Sequence, residues 1–205
     1  MKIVPNSARP EGTLSQSEAT ERTVPFGSIF VMSEESRWYA LRAFWNKTQP
    51  LMREAQEAGF RTYYAVKTEE SMASGKLEYK DVPLIPALFF IQSNVTWIKD
   101  FRQRHFGHVY VYTDSEGNPA PIRDKEMEMF IMVTSAQKEG GNVEYLGEPK
   151  PQYVQGDLVR VTDGLYKGAQ GVVKRIKKDR KLIVAISGVA VVAISQIPQC
   201  YLEKV

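Results

Sequence analysis

The sequence is short of the residues on which disulfides, metal sites and membrane spans depend. Its 205 residues include one cysteine, Cys200, and two histidines, His105 and His108. A single cysteine cannot form an internal disulfide, and we interpret Cys200 as a small apolar residue in a reducing compartment. No third ligand lies near the histidines, so we predict no metal site. The chain has no run of 18 apolar residues, so we expect no transmembrane helix and a cytoplasmic protein.

Catalytic motifs are missing as well. The sequence contains no Walker motif, no nucleophile elbow and no CxxC pair. A catalytic cysteine needs a base beside it, and both histidines fall in a different predicted domain from Cys200. A hydrolase would need a convergent set of catalytic groups. We therefore predict a binding protein rather than an enzyme, with no catalytic residues and no cofactor.

Charge is distributed unevenly along the chain. The whole chain carries 27 basic and 24 acidic side chains, a net charge of +3. Residues 150–205 hold 10 basic and 4 acidic side chains, whereas residues 37–138 hold 14 basic and 12 acidic ones. Residues 1–36 and 139–149 are net acidic, with charges of −2 and −3. Two cationic modules, each preceded by an acidic segment, suggest a protein that works beside nucleic acid.

Residues 1–36 are predicted to be a flexible leader. Met1–Glu21 is polar and holds few large apolar side chains, so it cannot bury enough surface to offset the entropy of ordering. It also has no apolar core of the kind that a secretory signal needs. The short apolar segment Val24–Met32 is expected to dock on the body or on a partner, or alternatively to form a strand.

Residues 37–138 are predicted to alternate between strands and helices. Short aromatic and apolar runs predict strands at Trp38–Ala43, Phe60–Val66, Ala87–Ile91 and Val109–Tyr112. Amphipathic patterns predict helices at Lys47–Ala58, Asn94–Phe106 and Lys125–Gln137, with Asp124 as the N-cap of the last. The polar segment Glu69–Val82 is expected to be a loop or a hairpin. The order β-α-β-hairpin-β-α-β-α predicts an α+β sandwich, with helices packed on an antiparallel-type sheet.

One predicted strand, Ala87–Ile91, is apolar on both of its faces. A strand with one exposed face would alternate polar and apolar residues. Leu88 and Phe90 should therefore be covered on one side, and Phe89 and Ile91 on the other. One pair would meet the helices of its own domain, and the other would meet a further strand layer or a partner protein.

The remaining sequence is predicted to be a linker followed by a small β-barrel. Residues 139–152 contain Gly140-Gly141-Asn142 and Pro149-Lys150-Pro151 and show no apolar periodicity, as is typical of a linker. Residues 153–205 are rich in short strands with tight turns, which favour a small barrel. The predicted strands are Leu158–Val161, Gly171–Ile176, Leu182–Ile186 and Val189–Ile194.

The most specific motif lies in this C-terminal segment. It follows the spacing of the KOW motif at Gly156, Asp157, Gly164, Gly168, Gly171 and Val172. Glycine allows tight turns between barrel strands where a β-carbon would clash. The alternative is another SH3-like barrel with glycine turns.

A basic run follows the KOW motif. Its cations are Lys174, Arg175, Lys177, Lys178, Arg180 and Lys181. We expect either a charged hairpin that keeps a small barrel soluble, or an electrostatic patch for RNA, DNA or an acidic protein surface.

Two further segments, together with the KOW segment, resemble the NusG family of transcription elongation factors. They are Trp38-Tyr39-Ala40-Leu41 and the stretch Pro83–Ile91. The order matches that of the family: an NGN domain over residues 37–138, a linker, and an SH3-like KOW domain. The chain is most similar to the specialised RfaH and UpxY types, because it has a leader and carries Pro86-Ala87-Leu88 where the family usually has Pro-Gly-Tyr.

The resemblance implies a bacterial elongation or antitermination factor that binds the clamp of RNA polymerase and suppresses pausing or termination. Ile85, Leu88 and Phe90 match the apolar patch that would make this contact; the alternative is that they are core residues. The KOW domain would recruit a ribosomal protein or Rho. The resemblance also implies action on a restricted set of operons, such as polysaccharide-type operons. It further implies a monomer without a membrane partner. The alternative function is an RNA-binding KOW protein on the ribosome, which would not need the NGN half.

Two more expectations concern nucleic acid and the fold of the KOW domain. Cations on or beside the first two helices would contact phosphates of non-template DNA or nascent RNA: Lys47, Arg53, Lys99, Arg102, Arg104 and His105. Trp45 or Trp97 would stack on an unpaired base. The alternative is a solvated helix face. The many Val and Ile residues of the KOW segment predict a stable barrel that does not switch to a helical fold.

Overall fold

The structure is a computed structural model that describes residues 35–73, 76–139, 141–147, 156–176 and 179–205. The predicted leader and its apolar segment Val24–Met32 lie outside the described residues, apart from residues 35 and 36. In the part of the chain that is described, no helix is long and apolar enough to cross a membrane.

The first part of the described chain alternates strands and helices in the predicted order. Its elements are β1 (Arg37–Ala43), α1 (Thr48–Glu57), β2 (Arg61–Tyr63), β3 (Val66–Ala73), β4 (Lys76–Pro83), β5 (Leu88–Ser93), α2 (Val95–Arg104), β6 (Val109–Val111), β7 (Pro121–Ile122) and α3 (Asp124–Ser135). A short 3₁₀ helix, Ala136–Glu139, follows α3. The main sheet has the order β2-β5-β1-β6, with β7 also paired to β1, and all of these pairs are antiparallel.

The segment predicted as a loop or a hairpin is a hairpin. Strands β3 and β4 form a separate two-stranded antiparallel sheet, in register from Val66 opposite Pro83 to Ala73 opposite Lys76. The hairpin is therefore a sheet separate from the main one, and at its base Leu84 N donates a hydrogen bond to Ala65 O at 2.9 Å.

The helices follow the predicted amphipathic patterns, with one correction at a cap. On α1 the buried side includes Leu51 and Ala55. The side chain of Asn94 caps α2 by accepting a hydrogen bond from Trp97 N at 2.8 Å. Helix α3 begins at Asp124, and Arg123 occupies its cap position without a side-chain cap bond. The prediction of Asp124 as an N-cap was therefore wrong; its carboxylate lies in the first turn, where the helix dipole favours it.

Strand β5 is covered on both faces, as its sequence predicted. Phe89 and Ile91 lie in a core cluster with residues of α1 and α2. Leu88 and Phe90 lie in a second cluster that contains residues of α3 and of the C-terminal sheet. The central strand therefore organises two cores, one on each side of the main sheet.

The C-terminal part forms one antiparallel sheet of six strands. They are β8 (Val143–Gly147), β9 (Asp157–Val161), β10 (Gln170–Ile176), β11 (Asp179–Ile186), β12 (Ala190–Ile194) and β13 (Leu202–Lys204), in the order β13-β9-β10-β11-β12-β8. The four predicted strands are present, and β13 is an addition. The α+β fold class is confirmed.

The structure differs from the prediction within the linker. Val143–Gly147 forms β8, which pairs along β12 from Ile194 opposite Val143 to Val191 opposite Gly147, with a register shift next to Val191. Strand β8 lies in the segment predicted as a linker; it pairs with β12, and its Tyr145 and Leu146 pack against the apolar core clusters. Val143 is its buried residue.

Candidate functional site

The three residues of the predicted apolar patch are buried in this structure. Ile85, Leu88 and Phe90 are each 1% exposed. The ring of Phe90 lies beside Phe130 of α3, with 5.3 Å between the ring centroids. A partner could reach this face of β5 only if the covering layer moved, and the role of the three residues in partner binding stays a prediction.

The turn before β5 has an unusual backbone at Ala87. Its φ is 61°, in the left-handed region where a β-carbon costs about 1–2 kcal/mol. The turn is held because Ala43 N donates a hydrogen bond to Ala87 O at 2.9 Å. The family that this chain resembles usually has glycine at the position of Ala87. The geometry explains that preference, and this chain keeps the turn without it.

Helix α3 and the C-terminal sheet together form the cover over the Leu88 and Phe90 face of β5. Hydrogen bonds join these two parts of the cover. The Glu126 carboxylate accepts from Ser187 N at 3.2 Å and from Ser187 Oγ at 3.1 Å. Gln170 N donates to Met129 Sδ at 3.1 Å, a weak acceptor. These polar contacts border an apolar core cluster that α3 and the C-terminal sheet share.

Arg42 is a charged residue on the covered sheet face that the sequence analysis did not select. It lies two residues after Ala40 on β1 and therefore on the same face, and its Nη2 donates to Tyr112 Oη at 3.0 Å. This hydrogen bond is the main cause that raises the pKa of Arg42, and burial opposes it; a hydrogen bond to Tyr145 of β8 adds to it. Arg42 thus links the main sheet to the strand that comes from the linker.

Two of the predicted nucleic-acid contacts are engaged within the protein. Arg104 forms ion pairs with Glu54 and with Asp100, the latter at 2.8 Å. Hydrogen bonds to Glu54 and then to Asp100 raise the pKa of Arg104. His105 Nε2 lies 2.7 Å from Glu54 Oε2. Both side chains therefore join α2 to α1, a contact that sequence spacing cannot show because Glu54 is 50 residues away.

Two other predicted contacts lie in an open groove of about 840 Å³. Lys99 and Arg102 line it together with Phe44, Phe106 and Tyr110. The three aromatic side chains are exposed, Phe106 to 88%. Cations beside exposed rings suit a flexible single strand, because phosphates pair with the cations and bases stack on the rings.

The remaining candidates on the helices are divided by their exposure. Lys47 and Arg53 are exposed on or next to α1 but do not line the groove. Trp45 is 80% exposed and free to stack. Trp97 stacks on Phe101, with 4.7 Å between the ring centroids, and is half-buried. Phe44 and Phe106 were not among the predicted site residues, because their only signal is a large apolar residue just beyond the end of a strand or a helix.

The glycines of the KOW motif lie at turns or at close contacts between strands. A β-carbon on Gly171 would lie 3.0 Å from the carbonyl carbon of Ile183 and closer still to its oxygen. Gly164 has a φ of +79° in the turn after β9. Asp157 forms an ion pair with Lys204 of β13 at 2.9 Å, and Val172 lies opposite Ile183. Gly156 and Gly168 also have positive φ angles.

The basic run lies on the β10–β11 hairpin. Lys174 is opposite Lys181 and Arg175 is opposite Arg180, so like charges face one another. Lys181 forms an ion pair with Glu144 of β8, and Arg180 Nη1 donates to Gln199 Oε1 at 3.2 Å. Lys177 and Lys178 lie outside the described residues. Arg175 is exposed.

Two family models match parts of this chain, and several solved structures are similar to it. The family model described as transcription termination factor nusG matches residues 36–131, and the KOW motif model matches residues 155–187. A structure described as "Domain interaction in Thermotoga maritima NusG" is similar, with 20% identity and a TM-score of 0.46. The similarity covers 83% of this chain and 98% of that one. Among curated proteins no match was found.

Proposed function

We propose that this chain is a bacterial transcription elongation or antitermination factor that binds RNA polymerase. The premise is that it carries the N-terminal domain of the NusG family followed by its KOW motif. The observation that carries the proposal is the presence of both matches, in that order, in one chain. The alternative of a ribosome-bound KOW protein would leave residues 36–131 without a role.

In the proposed mechanism the polymerase clamp contacts Ile85, Leu88 and Phe90 after the covering layer separates. The hydrogen bonds that Ser187 donates to Glu126 join α3 to the C-terminal sheet within the cover and contribute about 0.5–1.5 kcal/mol each. Opening must also separate Leu88 and Phe90 from the apolar cluster that they share with α3 and that sheet. Polymerase would shift the population toward the open form by its preference for the exposed face. The bound NGN domain would then bridge the DNA cleft and suppress pausing or termination.

The other surfaces fit supporting roles in the same proposal. The groove with Lys99 and Arg102 would hold the non-template strand or nascent RNA. The KOW sheet, with Arg175 exposed, would recruit a ribosomal protein or Rho. The factor would act as a cytoplasmic monomer on a restricted set of operons. Occupancy across the genome tests that last point: binding at one operon supports it, and genome-wide occupancy contradicts it.

The polymerase contact is tested with a matched pair of alanine variants in the full chain. Leu88→Ala and Ile91→Ala remove buried side chains from the same strand, at a similar cost of about 2–5 kcal/mol of stability. Only Leu88 lies on the proposed face. We expect Leu88→Ala to weaken binding to purified polymerase about tenfold or more, as at an interface hot spot, and Ile91→Ala to leave it nearly unchanged.

Thermal melts of both variants, run beside the binding titration, establish that each is folded at the assay temperature. Equal affinity of the two variants for polymerase would contradict the assignment of this face. Failure of the unmodified chain to bind polymerase would contradict the proposed function itself.

A further inference from the structure

The β3–β4 hairpin projects from the body as an exposed arm. Every described residue in 68–72 and 76–81 is exposed, whereas Ala65 and Leu84 at its base are buried. At about 3.3 Å per residue, the exposed strands reach roughly 16 Å beyond the base. The arm is long enough to contact a partner that the body does not touch.

One face of this arm carries a contiguous apolar patch. Met72 lies directly opposite Leu77, and Tyr79 is two residues beyond Leu77 on the same face. Their exposed fractions are 71%, 52% and 66%. Opposite residues have Cβ atoms about 4.5–5.5 Å apart and diagonal ones about 7–8 Å, so the three side chains adjoin. Met72 and Leu77 form a cross-strand pair that stabilises the hairpin. With Tyr79 added they make a cluster of exposed apolar residues, which marks an interaction site.

The charged side chains on the apolar face of the arm are all acidic. The apolar patch shares its face with two carboxylates, Glu70 opposite Tyr79 and Asp81 opposite Thr68. The other face has mixed charge, with the lysines of the hairpin and two further carboxylates: Lys67, Lys76, Lys80, Glu69 and Glu78. An apolar patch with an acidic border repels phosphates and complements a protein surface that is apolar at its centre and basic at its rim.

We propose that Met72, Leu77 and Tyr79 dock into an apolar, lysine- or arginine-rimmed surface of RNA polymerase, as a second contact separate from the β5 face. The inference rests on the proposed function for the identity of the partner. The two surfaces are distinct, because the patch on the arm is exposed in the structure whereas Leu88 and Phe90 are buried. The arm can therefore engage polymerase before the cover over β5 opens, and the second contact then forms at a raised effective concentration.

The test measures the dissociation constant of the labelled full chain with purified core polymerase. The variant replaces Met72, Leu77 and Tyr79 by serine. The matched control replaces Lys76, Glu78 and Lys80 by serine, at exposed positions on the other face of the same hairpin. We expect the apolar triple variant to bind about tenfold or more weakly and the control to change by less than about twofold. An unchanged affinity of the apolar variant overturns the proposal and leaves the proposed function standing.

A charge reversal separates a protein partner from nucleic acid. Glu70→Lys should weaken binding to DNA-free polymerase, and added salt should reduce the difference from the unmodified chain. Tighter binding of Glu70→Lys, seen only with polymerase loaded with DNA, would show that the arm faces phosphates and would overturn the proposal. If the unmodified chain does not bind polymerase, both the proposed function and this inference are wrong.

Discussion

Gly171 shows how one missing side chain sets the spacing of two strands. The β-carbon of any other residue would press on the backbone carbonyl of Ile183 in the neighbouring strand. A backbone group cannot rotate away as a flexible side chain can, so β10 and β11 would have to part locally. The requirement is steric rather than torsional, since Gly171 does not have a positive φ.

Gly171→Ala should therefore lower the free energy of unfolding by about 3 kcal/mol, the upper range for overpacking. Gly188→Ala is the control, because Gly188 has a φ of +73° but open space around its β position, and should lose only about 1 kcal/mol from backbone strain. Denaturant unfolding of both variants measures the difference. Equal losses would mean that the strands relax around the added methyl group.

Residue roles were predictable where the reason is local and not where it depends on a distant partner. The glycine spacing of the KOW motif follows from turns and close strands, which short sequence patterns encode. The engagement of Arg104 and His105 with Glu54 could not be foreseen, because it joins two helices that only the folded sheet brings together. The left-handed backbone of Ala87 is likewise invisible in a residue type that rarely adopts it.

At the scale of elements, patterns of several residues predicted the fold well. The doubly apolar β5 implied two covering layers, and the spacing of Leu51 and Ala55 implied the buried side of α1. Strand β8 was missed because its pairing depends on the open edge of β12. The three-residue β13 was missed because so short a strand has no periodicity to detect.

The contribution of β8 can be measured with two C-terminal fragments. Residues 141–205 include β8, and residues 156–205 lack it. Both should give a β-type circular dichroism spectrum, and the longer fragment should be more stable by at least about 2 kcal/mol, from several ladder hydrogen bonds of about 0.5–1.5 kcal/mol each. Identical unfolding midpoints would show that β8 adds nothing, and a helical spectrum would contradict the sheet assignment.

For the whole molecule, the placement of the cations says more about nucleic-acid binding than the net charge of +3 does. Of the cations on or next to the helices, Arg104 is used internally, and Lys99 and Arg102 line a groove with aromatic rings. Lys47 and Arg53 are exposed outside that groove. The sequence could supply the count of cations but not this division. It also could not show that the two predicted domains share one core cluster, because their contact involves no motif.

Reversing Lys99 and Arg102 to Glu should weaken the binding of single-stranded DNA. The slope of log affinity against log salt concentration should become shallower by the equivalent of about two phosphate contacts. Lys76→Glu with Lys80→Glu changes the net charge equally on the exposed hairpin and is the control. Titrations at several salt concentrations measure both. If the two double variants lose affinity equally, the effect is one of overall charge and the groove has no special role.

The pairing of β8 with β12 has a consequence for solubility. All five residues of β12 are apolar and buried, and β8 occupies the edge that they would otherwise present. An uncovered apolar edge is a template on which another chain can add a strand, which is how many proteins begin to aggregate. A short segment between the two domains therefore also guards each molecule against joining its neighbours, and any partner that displaces it must cover the same edge.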